Sequence, residues 1–258
     1  MGDLLAVGKL KFVETMMRYR NCAVVCGGLL MSVTAFAQAP EKLTNLQYFP
    51  KDMTRKELVG IMRGFSFSLG VRCEFCHVES ADKKMDFASD AKDEKRTARA
   101  MLKMADAINK DYIAKLGMTA PVQVQCVTCH RGLSKPVPIN NLLAKTIEKK
   151  DVTAAIAEYK ELRKKYYGSG AYDFSETPMN QLAESLLAKD KNKEAAAIME
   201  MNVEFNSPAS GWTYSVLAMS HKDAGDLVKA KADFQKLLEM NPDNKWAKEQ
   251  LEELSKSK

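Results

Sequence analysis

Two pentapeptides, Cys73-Glu-Phe-Cys76-His77 and Cys126-Val-Thr-Cys129-His130, constrain this chain more than any other feature. Each reads C-x-x-C-H, the attachment signature of c-type haem. Cysteines three residues apart can both form thioethers with the vinyl groups of one porphyrin, and the adjacent histidine presents its imidazole to the iron. The expectation is two covalently bound haem c groups, held by Cys73, Cys76, Cys126 and Cys129, with His77 and His130 as iron ligands. Such a domain builds its core largely on porphyrin faces. Without haem, an apolar void is expected between the helix ahead of Cys73 and the motif itself.

Haem c is assembled outside the cytoplasm, so an export signal is expected. Arg18 and Arg20 form a basic segment, Cys22 to Ala35 an apolar run of 14 residues, and Ala35-Phe36-Ala37 a small-x-small cleavage site. The run is too short to span a bilayer comfortably. Residues 1–37 therefore read as a signal peptide, with Met16 or Met17 as the start, and the mature protein as periplasmic. Removing it takes six cysteines to four, all in the two motifs, so none is left for a structural disulfide. The net charge falls from +6 to about +4, which four haem propionates would offset. With no clustered basic and aromatic stripe, nucleic-acid binding is not expected. No other apolar run reaches spanning length.

Composition shifts near residue 135. The expected order is a dihaem cytochrome c domain over 38–136, a boundary at Pro136 and Pro138, and helical repeats over 143–258. In the first domain Thr54-Arg-Lys-Glu57 is a capping box, and Leu58, Ile61, Met62, Phe65 and Leu69 follow at helical spacing up to Gly70. A second helix is expected from Asp90 to Leu116, stopped at Gly117, with Ala98, Met101, Met104, Ala105, Ile108 and Tyr112 on its apolar face. Haem iron needs a sixth ligand or an open site. Beyond the two motif histidines only His221 remains, so bis-histidine ligation of both haems is impossible within one chain. The available thioethers are Met62 and either Met104 or Met101, with Met118 a further candidate and an open second haem the remaining option. Arg72 and Arg131 flank the motifs and are candidates to pair with propionates.

Asn45-Leu-Gln-Tyr-Phe-Pro-Lys-Asp-Met53, Met62-Arg-Gly-Phe65, Leu69-Gly-Val-Arg-Cys73 and Val124-x-Cys126-x-Thr-Cys129-His130-Arg-Gly132 resemble the photosynthetic reaction-centre cytochrome c subunit family. The resemblance covers residues 45–135. It implies that each haem packs against a helix supplying the axial ligand, usually Met. Met62 lies 11 residues before Cys73 and Met104 lies 22 before Cys126, separations similar to those of the family, which favours Met104 over Met101. Family members carry four haems, against two motifs here, and the resemblance does not extend past residue 135.

That later region reads as tetratricopeptide-like hairpins. A shift of 35 residues lays Leu182-Ala183 on Leu217-Ala218, Ala195 on Ala230, Met199 on Phe234, Val203 on Leu238 and Asn206 on Asn241. Asp223-Ala-Gly-Asp226 is the turn between two helices, and a degenerate unit is expected at 143–168 around Leu142, Ile147, Ala155, Tyr159 and Leu162. A last helix over 243–254 would cap the stack through Trp246 and Leu251. His221 is expected at the surface, and the Lys145–Lys165 stretch as a solvated face. Repeats of this kind present a concave surface to a partner.

The expected fold class is therefore all-α: a small multihaem cytochrome c domain followed by a short tetratricopeptide-like stack. The expected function is electron transfer by a periplasmic dihaem cytochrome whose repeats dock a redox partner protein, membrane-bound partners included. The alternative is a haem enzyme of peroxidase type with one open haem site, although no distal acid–base pair accompanies either motif. A zinc site built from the two cysteine pairs accounts for neither the adjacent histidines nor the export signal.

Overall fold

The computed structural model describes residues 43–256, which cluster as one compact unit. The expected signal peptide lies outside the described residues. The fold is mostly helical. Helix α1 (Arg55–Leu69) starts at Thr54, whose side chain accepts from the Glu57 amide while Glu57 reaches back to the Thr54 amide. It stops at Gly70, which takes φ 64°. A short 3-10 turn (Cys73–Phe75) leads into a two-residue antiparallel ladder, β1 (Val78–Glu79) with β2 (Met85–Asp86), the one departure from the all-helical expectation.

Helix α2 (Asp93–Ala107) begins three residues later than the sequence pattern suggested. Asp90 is drawn into ion pairs with Lys95 and Arg99 instead of opening the helix. Beyond Ala107 the winding loosens into a π turn (Ile108–Tyr112) and tightens into a 3-10 turn (Ile113–Leu116), ending at Gly117 with φ 64°. Asn109, inside the π turn, donates to the Val124 carbonyl and accepts from the Val124 amide at 2.9 and 2.7 Å. That clamp fixes the strand of chain entering helix α3 (Cys126–His130).

Residues 139–256 form paired helices: α4 (Ile139–Lys149), α5 (Val152–Tyr166), α6 (Glu176–Leu187), α7 (Asn192–Phe205), α8 (Gly211–Asp223), α9 (Leu227–Met240) and α10 (Lys245–Lys256). α6 and α7 start 35 residues before α8 and α9, the period read from the sequence. Ala183, Ala195, Met199, Ala218, Ala230 and Phe234 are fully buried. One apolar cluster joins α4 to α8, and a second joins α8, α9 and α10, with Leu251 packed against it and Trp246 edge-on to Phe234 at 5.3 Å between centroids. In the degenerate unit Leu143, not Leu142, occupies the core, and the unit opens at Ile139. Between α6, α7 and α8 runs a satisfied polar ladder: Asn202 donates to Asn180, and Asn180 donates to Thr213, at 2.8 and 2.9 Å.

His221 is buried, not at the surface. It is 5% exposed, with Nδ1 2.7 Å from Asp233 and Nε2 3.3 Å from Glu200, so it bridges α7 and α9. His221→Ala should cost about 3 kcal/mol, because a buried carboxylate is left without its partner. Burial raises the Asp233 carboxyl above the ordinary carboxylate range, against the pull of His221. Its folded-state proton affinity therefore exceeds its unfolded one. The stability it contributes is full below the ordinary Asp range and is lost as pH rises through the raised value. Urea unfolding from pH 3 to 7 should show that loss in the native chain and a flatter profile in Asp233→Asn.

Candidate haem-binding site

Both motifs adopt one turn of helix. In the first, the Cys76 and His77 amides donate to the Cys73 carbonyl at 3.2 and 3.0 Å. In the second, Cys126–His130 is a helical turn, with the Gln125 amide donating to Thr128 Oγ1 at 3.0 Å. Residues at i, i+3 and i+4 of a helix share a face, so each turn points two thiols and an imidazole to one side. All four thiols are free.

The histidines differ. His130 Nδ1 lies 2.7 Å from the Leu133 carbonyl. That bond selects the tautomer with the proton on Nδ1 and leaves Nε2 as the lone-pair donor, the usual second-shell arrangement of a metal-ligating histidine. Leu133 escaped the sequence reading because its contribution is a carbonyl, which no residue type signals. The His77 ring is half-buried, edge-on to Phe87 with centroids 5.2 Å apart. Burial, then the Lys95 cation, holds its pKa below the ordinary imidazole value, and the Phe87 carbonyl pulls the other way. The neutral ring is the form that binds a metal. Its Nδ1 is buried without a hydrogen bond of normal length. Burial also raises the Cys76 thiol.

The two motifs meet through the backbone. α1 packs against α3, and the Gly132 amide donates to the Ser68 carbonyl at 2.9 Å. The helix carrying Met62 thus leads into the first motif and rests on the second. Met62 itself is half-buried. α2 runs past both motifs. Near its start Lys92 hydrogen-bonds the Glu74 carbonyl inside the first motif, and near its end Asn109 clamps Val124 ahead of the second. Met101 and Met104 are 41% and 48% exposed. Among the described residues no cluster of three or more His, Cys, Asp or Glu side chains forms a metal site.

The apolar void expected between α1 and Cys73 is replaced by a different arrangement. An open cleft of about 490 Å³ beside the first motif is lined by Val71, Arg72, Glu74, Phe75, Lys92 and Glu94, so it is mostly charged. The apolar surface lies instead on the helices. Neither α1 nor α2 buries a residue: on α1 the stripe Leu58, Ile61, Met62, Phe65 and Leu69 is half-buried, and on α2 Met101 and Met104 are exposed. By contrast α6 buries six residues over a shorter length. An amphipathic helix whose apolar stripe the polypeptide covers only in part is incomplete as polypeptide alone. These part-covered stripes fit a bulky apolar group held at the two motifs.

The profile of the photosynthetic reaction centre cytochrome c subunit family matches residues 73–225. The chain belongs to this family. The match includes both C-x-x-C-H turns and continues through α8, so the family's likeness reaches well past the residue-135 limit set by the motifs, while residues 45–72 fall outside it. Among curated proteins the chain is 31% identical over 96 residues to cytochrome c-554 of Chloroflexus aurantiacus, covering 34% of this chain and 22% of that protein. It is 31% identical over 88 residues to the photosynthetic reaction center cytochrome c subunit of Rubrivivax gelatinosus, covering 30% and 23%. The chain thus matches less than a quarter of the length of either relative. Among solved structures, the second TPR domain of human RPAP3 aligns with 47% of this chain and 95% of its own at 19% identity and a TM-score of 0.33. No helix among the described residues is long and apolar enough to cross a membrane.

Proposed function

We propose that this family member is an exported dihaem c-type cytochrome that transfers electrons in the periplasm. The observation that supports the reading is the pairing of two C-x-x-C-H helical turns with neighbouring helices on which no residue is fully buried and whose apolar stripes the polypeptide covers only in part. Each haem would supply one-electron iron chemistry. Cys73 and Cys76 would hold one, Cys126 and Cys129 the other. His77 and His130 would bind the irons through neutral rings, His130 oriented by the Leu133 carbonyl. Met62 and Met104 are the proposed thioether ligands, a choice that raises the potential relative to a second histidine. The dihaem unit is assigned to 38–136 and the tetratricopeptide-like stack, supported by its 35-residue helix period, to 143–258. The stack would dock a redox partner protein.

The test is the intact mass and alkaline pyridine spectrum of the protein exported from cells competent for haem c assembly. A mass increase equal to two haems, with a c-type spectrum, is expected. No increase under competent assembly overturns the reading.

A further inference from the structure

A second cleft, of about 270 Å³, lies along α2 and is lined by Gln47, Tyr48, Arg96, Arg99, Ala100 and Lys103. It contains three cations and no carboxylate. Arg99 and Lys95 are 16% and 12% exposed, and both pair with one carboxylate, Asp90, at 2.9 and 3.2 Å. Arg96 pairs with Asp93 at the surface. Lys103 has no ion pair among the described residues. Tyr48 turns its hydroxyl away, donating to Asp106 at 2.6 Å. Of the lining cations Arg99 alone is largely buried, sharing Asp90 with Lys95, while Arg96 and Lys103 are exposed and Lys103 adds a positive charge with no carboxylate of its own, so the cleft is cationic and open to an anion.

The cations connect to the first motif by a short chain of contacts. The His77 ring packs on Phe87, the Phe87 carbonyl accepts from Lys95 at 2.9 Å, and Lys95 and Arg99 share Asp90. We propose that this cleft is the carboxylate site for the haem attached at Cys73 and Cys76, with Arg99 and Lys103 receiving its propionates. The inference rests on the dihaem reading and assigns a role that motif spacing could not: Arg72 and Arg131, the sequence candidates, do not line this cleft. A guanidinium suits a carboxylate because it can donate two parallel hydrogen bonds. A partner's acidic side chains fit Arg99 less well than Arg96 and Lys103, which are exposed, since Arg99 is largely buried, packed against Asp90 and donating to the Asn45 carbonyl.

The test is spectroelectrochemical titration of the full exported chain and its Arg99→Gln variant, with intact masses measured on the same samples. A cation beside a haem favours the reduced state, so its removal should lower one of the two midpoint potentials. A tenfold change in that one-electron equilibrium constant is expected, about 59 mV, with the other potential unmoved. Arg99→Lys should recover most of the shift, which a merely structural role for Arg99 would not produce. Lys103→Gln, which breaks no ion pair of the protein, should shift the same potential in the same direction. Lys193→Gln, on the exposed side of α7, should shift neither. Two haems by mass with both potentials unchanged in Arg99→Gln and Lys103→Gln overturns the inference and leaves the dihaem reading standing. A native chain without haem overturns both.

Discussion

Gly70→Ala is expected to unfold the joint between the two C-x-x-C-H motifs. Gly70 takes φ 64°, and a Cβ built on it would stand 2.0 Å from the Gly132 carbonyl oxygen and 2.9 Å from its carbon. Both are backbone atoms, so no side chain can rotate away. The left-handed conformation alone costs an alanine about 1–2 kcal/mol. The clash adds the displacement of the Gly132 segment and loss of its bond to Ser68, bringing the total to about 4 kcal/mol or more. Gly117 provides the comparison, having the same φ of 64° and nothing within 4 Å of the added carbon. Gly117→Ala should therefore cost only the conformational part. Amide exchange at residues 126–133 is the measurement that separates them, because urea unfolding followed by helicity would report mainly on α4–α10. Equal protection in the two variants would show that the contact between α1 and the second motif is dispensable.

Replacing Cys126 and Cys129 together with alanine should remove one haem from the exported protein and leave the other. Both thioethers of the second site are lost while the first motif, on its own turn after α1, keeps Cys73 and Cys76. The expected mass falls by one haem, and the pyridine spectrum by half per polypeptide. The reciprocal change at Cys73 and Cys76 should do the same. Retention of both haems in either variant would overturn the assignment of the cysteines. Removal of the second haem should also weaken the first domain more than the repeats, because α1 and α2 bury no side chain of their own whereas α6 to α9 are closed on two apolar clusters.

Much of the fold was legible because short-range chemistry determines it. The Thr54–Glu57 box sets the start of α1, and Gly70 and Gly117 stop their helices by accepting a positive φ that other residues resist. The 35-residue period located the helix pairs, since alanines at the close crossings and bulky residues beside them recur wherever two helices must approach. The start of α2 was read too early because Asp90 had a competing use. His221 was misplaced because burial of a polar ring depends on carboxylates arriving from α7 and α9, 21 residues before and 12 after it.

The candidate site divides in the same way. The proposed haem-holding residues were read from covalent spacing, since two thiols and an imidazole on one helical turn need no knowledge of distant chain. How they are served does not follow from it. The Leu133 carbonyl on His130 is a local backbone contact that no residue type signals, whereas the contact of α1 with the second motif and the cation cleft along α2 arise between segments tens of residues apart; each depends on backbone groups or charges whose meaning comes only from position. The sequence by itself determined the helices, the repeat period and the motif spacing on which the haem proposal rests. Only the tertiary structure decided which surfaces stay open, because exposure is a property of what fails to pack as much as of what is apolar.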